Sequence, residues 1–369
     1  MKIIFCGGHH NSALLVARAL KQKGHRIFWF GHKYTMIGDK NPGAEYLEVN
    51  AEKISFIEIK AGKWQPKFNF LINFLRIPFG FGQSLFWLIK IRPKLIVSFG
   101  GYLALPVSIA GYFLRIPIVT HEQTTVAGVA NTLIAKISVK VLVSFPSSVE
   151  HFPSKKVVLT GLPIRTEIFD KGKKLFENSK KTIYITGGKQ GAHLINEEVF
   201  KILPKLLENF NVIHQCGSTS LFNDIDTGRQ LKEKLNKDFN YLIKEYFFED
   251  EIGSVFKSAD FVISRAGAHT VYELMYLGKP SLLIPIPWSS KNEQMHNAQA
   301  LKEMGLAEIL QQKYLEKGLL LPSIEKFSKD LQDYQKSTNV KIINDATQNV
   351  VKEIEKILKI IYNGLNDEN

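Results

Sequence analysis

Thr182-Ile183-Tyr184-Ile185-Thr186-Gly187-Gly188-Lys189-Gln190-Gly191-Ala192 is a short apolar run that stops at glycine, and from His193 to Leu207 the apolar positions recur at helical spacing. A strand turning through glycines straight into a helix is one step of a βαβ unit. Such glycines let backbone amides approach an anion closely, and the helix start adds partial positive charge. A phosphate is the natural occupant, and Lys189 could add a full charge. The spacing is neither that of a Walker loop nor that of a dinucleotide fingerprint, which speaks against ATP hydrolysis and NAD chemistry.

The same rhythm extends in both directions. Val212–Gln215, Tyr241–Ile243, Phe261–Ser264 and Ser281–Ile284 read as further strands of this half, and Lys2–Cys6, Arg26–Gly31, Leu95–Phe99, Ile118–His121 and Val141–Phe145 as strands of the other. Two doubly wound parallel-sheet domains of α/β class follow, with chemistry expected in the loops beyond the strand ends, in a cleft between the domains. A polar, lysine-rich stretch from Gly161 to Lys181 reads as the linker, and apolar positions from Ile342 to Ile361 predict a closing helix. The expected organisation is 1–165, 166–340 and a closing segment 341–369.

The second glycine loop, Arg265-Ala266-Gly267-Ala268-His269-Thr270-Val271-Tyr272-Glu273, again enters a helix, with Thr270 as N-cap or phosphate ligand. Glu273, a turn inside, is either a capping-box glutamate or an acceptor for a ribose diol. Two anion-binding helix starts in one domain suggest a nucleotide diphosphate. In the first half, Ser98–Pro106 and Thr120-His121-Glu122-Gln123 follow strands, so His121 with Glu122 could act as base and orienting acid, or could tie down loops. Asp224-Ile225-Asp226 could pass for a metal-binding acidic pair, but its Ser/Thr/Asn/Gly-rich surroundings predict a solvated turn.

Composition narrows the partners. Of 369 residues 45% are hydrophobic, ample for two cores, and the net charge of +13 is not evenly spread. Residues 1–180 hold 25 Lys+Arg against 10 Asp+Glu, while residues 181–369 hold 23 against 25. The basic half therefore suits an anionic partner. Phe68, Phe70, Phe74, Phe79, Phe81, Phe86 and Trp87, flanked by Lys and Arg, suit insertion among the headgroups of an anionic bilayer; Pro78 and neighbouring glycines argue against a spanning helix, and a helix pair packed on the sheet is the structural alternative. No stacking-and-basic motif of a nucleic-acid reader is present, so nucleic acid is not an expected partner. Cys6 and Cys216 have neither metal-ligand nor redox spacing, and the N-terminus shows no signal-peptide pattern, so a cytoplasmic protein is expected.

Taken in order, Gly100-Gly101-Tyr102 with Pro106; His121-Glu122-Gln123 followed by Ala127-Gly128 and Asn131; Gly161-Leu162-Pro163-Ile164-Arg165; Gly187 to Ala192; Ser264 to Ala268; and Glu273 with Gln294 resemble the MurG family of glycosyltransferases. The resemblance implies a GT-B architecture and an inverting, metal-independent transfer of N-acetylglucosamine from UDP to a polyprenyl-diphosphate-linked sugar, the lipid I to lipid II step of peptidoglycan synthesis, by an enzyme peripheral on the inner face of the cell membrane. No cofactor is implied. By motif position, the substrate contacts it implies are Thr124, Asn131, Arg165, Gly188, Lys189, Gln190, Gly191, the run Ala268, His269, Thr270, Val271, Tyr272 and Glu273, and Gln294, with the uracil near the backbone of Glu249. Glu273 would take the ribose hydroxyls, Arg165 and the two helix starts the diphosphate, and Gln294 the sugar. A general base on the acceptor side is expected from His9, His10 or His121, with Glu122 as the orienting acid of His121.

Departures from the family pattern are also visible. The first glycine loop is shortened to Gly7-Gly8-His9-His10-Asn11-Ser12, Thr124 stands where the family has Asn, Lys189 where it has Ser, and Glu293 where it has Gln. Two other functions share parts of this reading: a non-hydrolysing UDP-N-acetylglucosamine epimerase, which would need carboxylates beside the sugar, and a membrane-docked sugar-nucleotide-binding subunit without catalysis.

Overall fold

The computed structural model describes residues 1–34, 42–61, 70–169, 172–219, 221–235, 240–334, 343 and 345–366, with side chains of 70–77 and 365–366 left aside. The chain divides into two compact units, Met1–Ile164 with Ile343–Asn369, and Arg165–Ile342.

The first unit carries β1 (Lys2–Cys6), β2 (Arg26–Gly31), β3 (Ser55–Glu58), β4 (Leu95–Ser98), β5 (Ile118–Glu122), β6 (Lys140–Val143) and β7 (Val157–Leu159). They form one parallel sheet in the order β3-β2-β1-β4-β5-β6-β7. Helices cover both faces, so its central strands are apolar at successive positions. Ile3 and Phe5 of β1 pack with Ala13, Val16 and Val350, whereas Ile4 and Cys6 pack with Leu88, Ala104 and Val107.

In the second unit β8 (Lys181–Thr186), β9 (Phe210–Gln215), β10 (Tyr241–Lys244), β11 (Phe261–Ser264), β12 (Ser281–Leu283) and β13 (Ala307–Ile309) make a parallel sheet ordered β10-β9-β8-β11-β12-β13. Each sheet reverses direction of winding once, at β1/β4 and at β8/β11. Loops beyond these strands open at the switch point, where α/β sheets bind ligands.

Three strands were not anticipated: β3, β7 and β13 all lie at sheet edges, and apart from buried Ala307 their side chains are partly buried or exposed. The closing helix Ala346–Asn366 is not a separate segment. Val350, Ile354 and Leu358 enter the core of the first unit beside the helix His10–Gln22, and Glu355 bonds His25 Nε2 at 2.7 Å. Nor is the lysine-rich stretch a bare linker. The Leu175 amide donates to Ser258 Oγ at 2.8 Å, and a Cβ on Gly172 would strike Ser254; Asp170 and Lys171 lie outside the described residues.

The aromatic segment forms one helix, Phe70–Ile91, with Pro78 inside it, rather than a pair. Leu88 and Ile91 are buried against the sheet, while Phe79, Phe86 and Ile89 are exposed. Among the described residues no helix is long and apolar enough to cross a membrane.

Candidate active site

In the second unit the loop after β8 is held in shape by glycines and one buried amide. Gly188 and Gly191 both take φ of +85°, and a Cβ on Gly191 would lie 2.0 Å from the Cys216 carbonyl oxygen. Gln215 Nε2 donates to Thr186 Oγ1 at 3.0 Å and to the Gly188 carbonyl at 3.1 Å, while its Oε1 accepts from the Phe247 amide at 3.1 Å. The Lys189 carbonyl accepts from the amide and hydroxyl of Ser218. Gln190 stands exposed at the tip, and the helix His193–Asn209 begins without a side-chain cap or an acid in its first turn.

The helix after β11, Ala268–Tyr276, also starts uncapped and free of acids, with Gly267 at the N-cap. Thr270 is therefore inside the helix and does not cap it. The first-turn amides have no partner carbonyl within the helix, so an anion is favoured there. Val271 and Tyr272 are buried, which leaves Ala268, His269 and Thr270 as the accessible part of the run. The helix Glu249–Ser258 is the opposite case: Glu249, Asp250 and Glu251 fill its first turn, so it repels a phosphate and is suited to an uncharged group.

Glu273 makes no capping box. Its Oε1 accepts from Arg165 Nε at 2.9 Å, and Arg165 Nη1 donates to the Tyr246 hydroxyl at 3.1 Å. Burial works against the Arg165 charge, but the Glu273 carboxylate together with Tyr246 and Tyr184 more than offsets it and holds the guanidinium above its ordinary range. Lys189 Nζ lies 5.5 Å from the centroid of the same Tyr246 ring. Arg165, Lys189 and Glu273, far apart in sequence, thus meet around Tyr246, which sequence reasoning did not select. Its place just beyond β10 was the available signal. Gln294 is half-buried, and its Oε1 accepts from the Ile286 amide at 3.1 Å.

Asp224 is not a solvated turn residue. It starts the helix Asp224–Leu235, is 3% exposed, and accepts from Asn196 Nδ2 at 2.6 Å while its other oxygen lies 2.8 Å from His193 Nδ1. Asp226 is on the surface, and among the described residues no group of His, Cys, Asp and Glu is placed to hold a metal.

The first unit separates the histidines. His121 and Glu122 are consecutive in β5 and so point to opposite faces of the sheet, which rules out their acting as base and orienting acid. His121 is fully buried, bonds the Gly161 carbonyl through Nε2 at 3.2 Å and stacks on Phe99. Its pKa is lowered to about 4, chiefly by burial, with the Gly161 bond working against the shift and His9 with it. Glu122 instead organises the loop that follows. Oε1 accepts from the amides of Gln123 and Thr124 and from Thr124 Oγ1, and Oε2 from the Gly128 amide and Asn131 Nδ2. Thr124 and Asn131 are buried with their polar atoms engaged internally, Asn131 Oδ1 by Thr120 and Thr124 Oγ1 by Val126, so neither presents its side chain to a ligand.

The shortened loop packs on the loop after β4: the Gly8 amide donates to the Gly100 carbonyl at 3.0 Å, and Gly7, at φ +136°, leaves no room for a Cβ beside Phe99. His9 is exposed at the N-cap of the helix His10–Gln22; His10 Nε2 lies 3.2 Å from Glu48 Oε2. Of the three histidines, His9 alone stands exposed beyond a strand at the switch point.

Two glycine-gated switch points, one per unit, together with an Arg–Glu pair beside acid-free helix starts, define a nucleotide-sugar enzyme fold of GT-B composition. Family models match in the same order: the glycosyltransferase family 28 N-terminal domain over residues 5–143 and its C-terminal domain over 182–355. The chain belongs to glycosyltransferase family 28. It is similar to the UDP-N-acetylglucosamine--N-acetylmuramyl-(pentapeptide) pyrophosphoryl-undecaprenol N-acetylglucosamine transferase of Clostridium kluyveri, 34% identical over 96% of this chain and 99% of the relative. The enzyme of that name from Clostridium perfringens is also 34% identical over 96% of this chain. Among solved structures, Acinetobacter baumannii MurG has a TM-score of 0.72 at 25% identity, covering 96% of this chain and 99% of that one. A UDP-GlcNAc 2-epimerase from Neisseria meningitidis has a TM-score of 0.62 at 14% identity, covering 96% and 100%, and shares the fold.

Proposed function

We propose that this protein is an inverting glycosyltransferase that moves N-acetylglucosamine from UDP to the muramyl-pentapeptide pyrophosphoryl-undecaprenol lipid, the lipid I to lipid II step. The donor half rests on one observation: Arg165 bonded to Glu273 at the helix after β11, with two acid-free helix starts in the same unit. Glu273 takes the ribose hydroxyls with its remaining acceptor capacity. The amides of Ala268 to Thr270, with Arg165 and Lys189, face the diphosphate, while the amides of Gly188 and Gly191 hold their own loop through Thr186 Oγ1 and the Gly188 carbonyl. Gln294 donates to the sugar, and the uracil lies at Phe248 and Glu249, where the acidic first turn excludes phosphate.

The acceptor hydroxyl oxygen attacks the anomeric carbon from the face opposite UDP, that carbon's bond to the diphosphate oxygen breaks, and the hydroxyl proton passes to a base. We assign the base to His9, because His121 is buried and His10 lies beside Glu48. Negative charge gathers on the departing diphosphate, where fixed amides and cations stabilise it. The protein is placed on the inner face of the membrane through Phe79, Phe86, Ile89, Tyr112 and Phe113, exposed on two mutually packed helices of the first unit, with Lys90, Arg92 and Arg115 beside them.

Labelled N-acetylglucosamine offered as its UDP ester to a panel of polyprenyl-diphosphate sugars tests this. Transfer to the muramyl-pentapeptide lipid, and none to simple lipids, is expected. Epimerised sugar appearing without acceptor would establish the isomerase instead.

A further inference from the structure

The donor reading brings two cations to one diphosphate but says nothing of what aims them. Arg and Lys side chains are long, lose substantial rotamer entropy when held, and repel each other. The geometry points to Tyr246 as the positioning residue for both. Its hydroxyl accepts from Arg165 Nη1 at 3.1 Å, the Arg165 Cζ lies 6.0 Å from its ring centroid, and Lys189 Nζ lies 5.5 Å from the same centroid. An aromatic face attracts cations through its quadrupole, so one ring restrains two charges that would otherwise diverge. Glu273, bonded to Arg165 Nε, fixes the far side of the guanidinium.

The loops themselves are locked at a set spacing. Buried Gln215 donates to the Gly188 carbonyl, next to Lys189, and accepts from the Phe247 amide, next to Tyr246. Tyr246 is further braced by an edge-to-face contact with Phe248, with ring centroids 5.3 Å apart. Tyr246 therefore sets affinity for the diphosphate of a uridine nucleotide, not for its nucleoside. This inference rests on the donor reading above.

Calorimetric titration of the full chain with uridine, UMP and UDP, for the parent, Tyr246→Phe, Tyr246→Ala and Lys189→Ser, separates the possibilities. Tyr246→Ala is expected to weaken UDP about tenfold and uridine by less than about twofold. Tyr246→Phe keeps the ring and should fall between. In the Lys189→Ser background the Tyr246→Ala loss should shrink, as coupled residues require. Equal losses for uridine and UDP, unchanged UDP binding in Tyr246→Ala, or strictly additive losses overturn the proposal. Should Tyr246→Ala fail to fold, Tyr246→Phe with and without Lys189→Ser decides by the same criteria. A parent protein that binds no UDP would instead remove the donor reading.

Discussion

Glu273 carries the donor assignment at the scale of single residues. Replacing it with Ala removes an acceptor for the ribose and leaves a half-buried Arg165 without its carboxylate, so UDP affinity by titration should fall by roughly 10- to 100-fold. Glu273→Gln keeps an oxygen for Arg165 and should lose less. Unchanged affinity in Glu273→Ala would show that the ribose lies elsewhere. On the acceptor side, His9→Ala should lower kcat by about 10²- to 10⁴-fold while UDP binding holds. His121→Phe, a change in a buried stacked ring, should affect stability more than kcat.

At the scale of elements, the two glycine loops differ in what they tolerate. Gly191→Ala puts a methyl on the Cys216 carbonyl at a left-handed φ, so the loop must open; a loss of roughly 2 kcal/mol or more in denaturant unfolding is expected, together with weakened UDP binding. A Cβ on Gly267 meets nothing within 4 Å. Gly267→Ala should therefore leave unfolding within about 0.5 kcal/mol of the parent, and any loss of UDP affinity would mark the approach of ligand to that backbone.

The helices Phe70–Ile91 and Ala104–Phe113 show a different trade. Each is followed by an arginine in the left-handed region, Arg92 at φ +53° and Arg115 at φ +55°, where glycine is the unstrained choice. Arg115→Gly is expected to stabilise the fold by up to about 1 kcal/mol yet reduce sedimentation with phosphatidylserine vesicles, because each basic residue near an anionic surface contributes about 1 kcal/mol. Retained vesicle binding would dissociate Arg115 from the membrane face.

Across the whole molecule, each unit buries a neutral histidine. His121 in the first is lowered to about 4 and His214 in the second to about 3, in both cases chiefly by burial. The unfolded chain binds protons at these sites near pH 6.5 and the folded chain does not. Their contribution to stability is thus full above about pH 6.5 and is lost progressively as the pH falls towards 4, by roughly 3 kcal/mol or more per site. Thermal melts should show Tm dropping across that window, and His121→Phe should flatten the drop for the first unit.

Much of this was legible in sequence, and the boundary of legibility is physical. Central strands such as β1 and β8 are covered on both faces, so their residues must be apolar at successive positions; the glycines after them are demanded by positive φ and by closeness of backbones. Local chemistry determined those elements, and with them the two doubly wound sheets and the phosphate-type loops. Edge strands β3, β7 and β13, half-buried and paired on one side, carry no such mark. Tertiary packing alone buried Asp224 under His193, joined the final helix to the first unit, and brought Arg165, Lys189 and Glu273 to one tyrosine. Those outcomes depend on contacts between residues distant in the chain, and nothing in their immediate neighbours encodes them.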